Sequence, residues 1–261
     1  MRHWLLAAVL ALPAAHAQTS SADGIAQYRA LLADGNPADL WEAKGEALWK
    51  QKRGTKNVSF ENCDLGKGAG VVKGTFVELP RYFADTKRVQ DLESRLLTCM
   101  EAQGFNAAEI AATPFGRGEQ VNLEALVAYI SAESKGMKFN LSQAHPDERK
   151  MFEVGKRIFY FRGGPYDFSC ASCHGEAGKR IRLQDLPALT KNPGDGVGFA
   201  AWPAYRVSSG ELWGMQRRLN DCYRQQRFPF PGYASDATIA LAAFMGVQGQ
   251  GAVSIAPSIK R

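Results

Sequence analysis

Apolar residues recur at three- and four-residue spacing along several stretches of the chain, while strict alternation is scarce. In DERKMFEVGKRIFYF (147–161), Met151, Val154, Ile158 and Phe161 share one face, which predicts a helix. SSGELWGMQRRLNDCYRQQ (208–226) reads as another. Ser208 and Glu211 stand there at capping-box spacing, and Leu212, Met215 and Leu219 form a stripe on which Cys222 falls next. An alanine-rich helix is expected from about Ser235 to Met245, bounded by glycines. The pattern is that of a mainly α protein with long glycine-containing loops.

The two halves carry similar punctuation. Gly45-x-x-Leu48-Trp49, Arg53-Gly54 and Cys63 are followed by Gly155-x-x-Ile158-Phe159, Arg162-Gly163 and Cys170 in the same order. Further on, RLLTC (Arg95 to Cys99) is matched by RLNDC (Arg218 to Cys222). Such an ordered series predicts an internal duplication. The polar segment SQAHPDERKM (142–151), with Pro146, places the boundary near residue 145. Residues 18–145 and 146–261 are therefore expected to be tandem domains of one type.

The first seventeen residues read as a signal peptide: Arg2, an apolar run from Trp4 to about Leu12, then Ala15-His16-Ala17. Cleavage after Ala17 implies export to the periplasm, where disulfides persist. Neither that apolar run nor ATIALAAFMGV (237–247) is long enough to span a bilayer. At 45% hydrophobic and 22% charged, the 261-residue chain has a globular composition. Its formal charge of +6 suits an anionic substrate or acidic partner without specifying one, and no basic run is dense enough for nucleic acid.

Five cysteines carry the chemistry. Cys170-Ala171-Ser172-Cys173-His174 has the C-x-x-C-H spacing of haem c attachment, in which two thiols form thioethers and the histidine ligates iron. A redox disulfide would not require His174, and zinc would need further ligands. The equivalent place in the first half reads Cys63-Asp64-Leu65-Gly66-Lys67, which lacks the second thiol and the imidazole. Only the C-terminal half is thus expected to carry haem, one per chain. Cys63 and Cys99 are expected to pair, a bond worth about 4 kcal/mol in the chain-entropy picture.

Cys222 is left over. The iron needs a sixth ligand or an open position, and Met215, Met245, Cys222 and, less readily, His145 are the candidates. Methionine is the usual choice for an electron carrier. Three features turn attention to Cys222. Its counterpart Cys99 faces the remnant of the other motif. Arg218 lies one helical turn before it, and a guanidinium there would stabilise a thiolate or grip an oxyanion. The same offset joins Arg95 to Cys99, however, so the pair could simply be inherited from an electron-transfer ancestor. A solvent-facing, idle Arg218 is the competing reading.

With LPRYFADTKRVQDLESRLLTCM (79–100), YDFSCASCHG (166–175) and QRRLNDCYRQQRFPFPGY (216–233), nearly the whole mature chain resembles the SoxA family, the haem subunits of bacterial thiosulfate-oxidising SoxAX complexes. Some members carry two haems; Gly66 and Lys67 make this chain similar to the single-haem form. The resemblance implies haem on Cys170 and Cys173, with His174 and Cys222 as axial ligands. It implies a persulfide on Cys222 and substrate binding by Arg218. The implied activity is L-cysteine S-thiosulfotransfer, joining thiosulfate to a cysteine of a SoxYZ-like carrier. Electrons would pass through a SoxX-like haem subunit to a downstream c-type cytochrome. Two other readings compete: a plain His/Met electron-transfer cytochrome, and a haem-free first half acting only as a docking module.

Overall fold

The computed structural model describes residues 23–24, 27–28, 30–31, 35–181, 184–191 and 197–260. The expected signal peptide, residues 1–17, lies outside them. The chain divides into two units, Met1–Gly35 and Asn36–Arg261. In the first, the described residues at 23–24, 27–28 and 30–31 are helical. All that follows concerns the second.

Its first half holds helices α1 (Ala38–Lys50), α2 (Leu92–Ala102), α3 (Ala107–Ala112) and α4 (Gly118–Ala132), with a hairpin of β1 (Arg81–Phe83) and β2 (Arg88–Gln90). Its second half holds α5 (Pro146–Tyr160), α6 (Cys170–His174), α7 (Val197–Ala200), α8 (Met215–Gln225) and α9 (Asp236–Gln248). The pair β3 (Arg180–Ile181) and β4 (Gln184–Asp185) follows α6. A small sheet of β5 (Ala204–Arg206), β6 (Glu211–Trp213) and β7 (Ser258–Lys260) has the order β6-β5-β7.

One packing device occurs in both halves. α1 lies against α4 so closely that a β-carbon on Gly45 would collide with the Ala125 carbonyl oxygen and with Tyr129. α5 crosses α9 in the same way, with Gly155 against the Ala240 carbonyl oxygen and Phe244. One turn after each glycine comes a buried aromatic ring: Trp49 at 6.4 Å from Tyr129, and Phe159 at 4.9 Å from Phe244. Glycine removes the bulk that would keep the helices apart, and the aromatic pair fills the flank of each crossing. Two apolar cores follow, one around Trp49, Phe60 and Leu96, the other around Phe139, Phe159 and Phe244.

Helix ends follow local chemistry. α5 starts with His145 and Glu148 in a reciprocal capping box and Pro146 at the first position. α9 starts with the Ser235 hydroxyl accepting from Thr238 N–H. The expected capping box at Ser208 and Glu211 is not formed. Gly210, at φ +68°, turns the chain into a hairpin in which Glu211 pairs with Arg206, and α8 begins only at Met215 after Gly214. Leu212 consequently leaves the helical stripe and is buried in β6 beside Ala38 and Ala128.

Polar contacts join the halves at the start of α8. The Gln216 amide donates to Asp91 at the cap of α2, and Gln216 N–H donates to Glu93 at 3.1 Å. Arg217 donates to Glu124 of α4 at 3.0 Å and is bonded to Glu211.

Candidate haem and thiol site

α6 is short, and its start is fixed from outside the motif. Ser169 Oγ accepts from Ser172 N–H at 3.1 Å, and Ser169 N–H donates to Ser172 Oγ at 3.0 Å. The helix puts Cys170 and Cys173, three residues apart, on one face. His174 follows with its Nδ1 2.9 Å from the carbonyl oxygen of Pro187. A carbonyl only accepts, so Nδ1 carries the proton and Nε2 keeps its lone pair for a metal. Leu189 N–H donates to the His174 carbonyl at 2.8 Å, and Thr190 Oγ1 donates to the Gly175 carbonyl at 2.8 Å, which tie this loop to the motif. Burial lowers the His174 pKa, the bond to Pro187 opposes that, and the charge of Arg218 adds to the lowering.

Helix α8 supplies the other side. Cys222 is close enough to Cys170 and Cys173 for their charges to interact. Burial pushes the Cys222 thiol up, and the positive charge of Arg218 is the largest opposing influence. Cys170 is pushed up to about 12, chiefly by burial and then by Cys222, while the Gln226 amide hydrogen-bonds to it. Arg218 donates to Asp221 at 3.0 Å and lies over the Trp202 ring at 5.6 Å. Burial works against the Asp221 carboxylate, but hydrogen bonds from Arg224 and Gln225 and the charge of Arg218 hold it below its usual range.

Of the other candidates, Met245 is buried in the second core on α9, and Met215 packs against that core, as Cys170 does. His145 caps α5 and stacks on Tyr82 at 3.6 Å. Arg217 is turned to Glu124 and Glu211, with its guanidinium 4.6 Å from the Trp213 ring, and of the two neighbours it is Arg218 whose charge acts on Cys222.

The Cys63 segment of the first half, which lacks the C-x-x-C-H motif, is arranged differently. Cys63 and Cys99 are joined in a disulfide. The Asp64 carboxylate accepts from Gly66 N–H at 2.6 Å and Gly68 N–H at 2.8 Å, so the segment is a turn instead of a helix. Lys67, at the ligand position, pairs with Glu78 at 2.7 Å. Arg95, the counterpart of Arg218, is buried over Phe83 and donates to Asp85 at 2.8 Å and to the Asp64 carbonyl at 2.7 Å. Beside the disulfide lies a cavity of about 220 Å³ lined by Arg95, Thr98 and Gln103.

Sequence reasoning missed Trp202, Asp221 and Gln226. A signal existed for Gln226: it follows Cys222 by four residues as Gln103 follows Cys99, extending the repeated Arg-Leu-x-x-Cys by one turn.

Two thiols on one helical face, an imidazole with its outer nitrogen held by a carbonyl, and a third thiol nearby form a donor set that fits haem c. The fold and these residues define a c-type cytochrome, in agreement with a match of residues 44–139 to the SoxA/TsdA cytochrome c domain family. That match falls on the half without the C-x-x-C-H motif. The chain belongs to the SoxA family. It is 54% identical over 91% of its length, and 87% of the relative's, to the L-cysteine S-thiosulfotransferase subunit SoxA of Hydrogenophilus thermoluteolus. A protein of the same name from Hydrogenobacter thermophilus is 33% identical over 86% of this chain and 82% of its own. A solved structure of SoxXA from P. pantotrophus superposes with a TM-score of 0.71 at 25% identity, covering 87% of this chain and 79% of that one.

Proposed function

We propose that this chain is the haem subunit of an L-cysteine S-thiosulfotransferase. In this reading it carries one covalent haem c on Cys170 and Cys173, ligated by His174 and Cys222. It couples thiosulfate to a cysteine of a SoxYZ-like carrier and works in the periplasm as a heterodimer with a SoxX-like haem protein. The observation that carries the reading is the meeting of Cys222 with the two motif thiols and Arg218, in a chain 54% identical to a named SoxA. The glycine crossings, and the repeated Arg-x-x-x-Cys offset, support a duplication at about residue 145 in which residues 18–145 have lost their haem.

The haem, when bound, supplies an iron for ligation and a one-electron acceptor. The protein's side chains do the rest. Arg218 offers a fork of donors to the sulfonate oxygens of thiosulfate and offsets the burial of a dianion. Asp221 holds that guanidinium in place by its bond of 3.0 Å. Cys222 loses its proton and two electrons as it bonds to the outer sulfur of thiosulfate. The carrier thiolate then attacks that outer sulfur, and Cys222 departs as thiolate by ordinary exchange. In sum, one carrier S–H and one thiosulfate give one new sulfur–sulfur bond, one proton and two electrons, which leave to a c-type cytochrome.

Cys222→Met tests this directly. Thiosulfate coupling to the carrier should vanish while the ratio of haem to protein stays at the wild-type value. Retained coupling would remove Cys222 from the chemistry and return the chain to plain electron transfer.

A further inference from the structure

The cavity beside the Cys63–Cys99 disulfide has no part in the chemistry above. Phe60 and the two cysteines give it an apolar side, and Asp64, Asp85, Arg95, Thr98 and Gln103 also line it. Most of these polar groups are answered within the protein. Asp85 accepts from Arg95 Nη1 at 2.8 Å, and the Asp64 carboxylate accepts from Gly66 and Gly68 N–H. Thr98 Oγ1 donates to the Ser94 carbonyl and accepts from Gln90 Nε2. Gln103 is the exception. It is 2% exposed, yet neither its amide nitrogen nor its amide oxygen has a hydrogen-bond partner among the described residues. Its backbone is fixed at the end of α2: its N–H donates to the Cys99 and Met100 carbonyls, and its carbonyl accepts from Lys56 N–H at 3.1 Å. Arg95 has a donor to spare as well. Its bonds to Asp64, Asp85 and Gln90 all leave from Nε and Nη1, so Nη2 makes none of them.

We propose that this cavity is a binding site for a small neutral ring compound bearing a carboxamide. The carboxamide pairs with the Gln103 side chain, its oxygen accepting from Nε2 and its N–H donating to Oε1, while the ring lies against Phe60 and the disulfide. A buried amide with both groups unpaired is costly, and a ligand that presents one acceptor beside one donor removes that cost at both. Size agrees. An apolar cavity of about 150 Å³ takes up benzene, so a cavity of about 220 Å³ holds one ring with a small polar group, and no tetrapyrrole. Charge selects against an anion of the same shape. Arg95 is already paired with Asp85, so a carboxylate ligand would meet two wall carboxylates, Asp64 and Asp85, against a single guanidinium. The site is independent of any role for Cys222.

The experiment is a calorimetric titration of benzamide, and separately of benzoate, into the haem-loaded chain. Benzamide should bind saturably at one site with the Soret spectrum unchanged, and benzoate at least tenfold more weakly. Gln103→Met keeps the side-chain volume and removes both polar groups, and should raise the Kd of benzamide about tenfold or more, the loss expected for a pair of neutral hydrogen bonds. No saturable uptake by the wild type overturns the proposal, as does an equal Kd for benzoate or an unchanged Kd in Gln103→Met. A Soret shift on adding benzamide also counts against it, because it would place the ligand at the iron. Should Gln103→Met fail to fold, a wild-type crystal soaked in benzamide decides. Its amide on the Gln103 side chain supports the assignment; ordered water alone in the cavity, or benzamide bound elsewhere, overturns it.

Discussion

Replacing Glu93 by glutamine should make the protein more stable at pH 8 and leave it little changed near pH 5. Glu93 is 4% exposed in the first turn of α2. Burial, and then the negative charge of Asp91, push its pKa from 4.5 up to about 8, and the bond from Gln216 N–H only partly offsets this. The folded protein thus holds a proton on Glu93 at pH values where the unfolded chain has released it. Unfolding then releases protons, so stability falls as pH rises from about 4.5 towards 8 and is fully present only below that interval. The slope approaches 1.4 kcal/mol per pH unit, giving at most about 5 kcal/mol across the window. Coupling to Asp91 reduces the realised value. Glutamine keeps an oxygen for Gln216 N–H and removes the titration. Glu124, pushed up to about 7 by burial against the pull of Arg217, gives a slope of the same sign, but it is present in both proteins and cancels in their difference. Denaturant unfolding of the haem-loaded protein, followed by tryptophan fluorescence at several pH values, measures that difference. Parallel stability curves for wild type and Glu93→Gln would refute the reasoning, because they would mean that Glu93 is ionised or solvated in the fold.

Other perturbations have defined outcomes. Replacing Cys63 and Cys99 together by serine should lower unfolding stability by up to about 4 kcal/mol while haem content is kept; a loss of haem would show that the first half shapes the site itself. Gly155→Ala places a carbon against the Ala240 carbonyl oxygen and should cost about 1–3 kcal/mol in a melting experiment; no cost would mean that α5 and α9 separate freely.

How much of this could be read from the chain depended on whether the signal was local. Haem attachment requires two thiols and an imidazole within five residues, so Cys170, Cys173 and His174 stood out without any fold. Pro146 and Ser235 likewise mark helix starts by chemistry acting over one turn. Ser208 and Glu211 misled for the same reason: their spacing is local, but the turn at Gly210 and pairing with β5 prevailed over it. The bonds of Gln216 and Arg217 to Asp91, Glu93 and Glu124 span 93 to 125 residues, so no local pattern announces them.

The wiring at the foot of α8 has a consequence for how damage travels through the chain. Gln216 and Arg217 reach back to Asp91, Glu93 and Glu124, so the helix bearing Cys222 takes its bearings from the half that lacks the C-x-x-C-H motif. Removing the first half would take Asp91, Glu93 and Glu124 from the Gln216 amide and the Arg217 guanidinium at the start of the helix that bears Cys222. Damage far from the C-x-x-C-H motif would therefore reach the placement of that thiol.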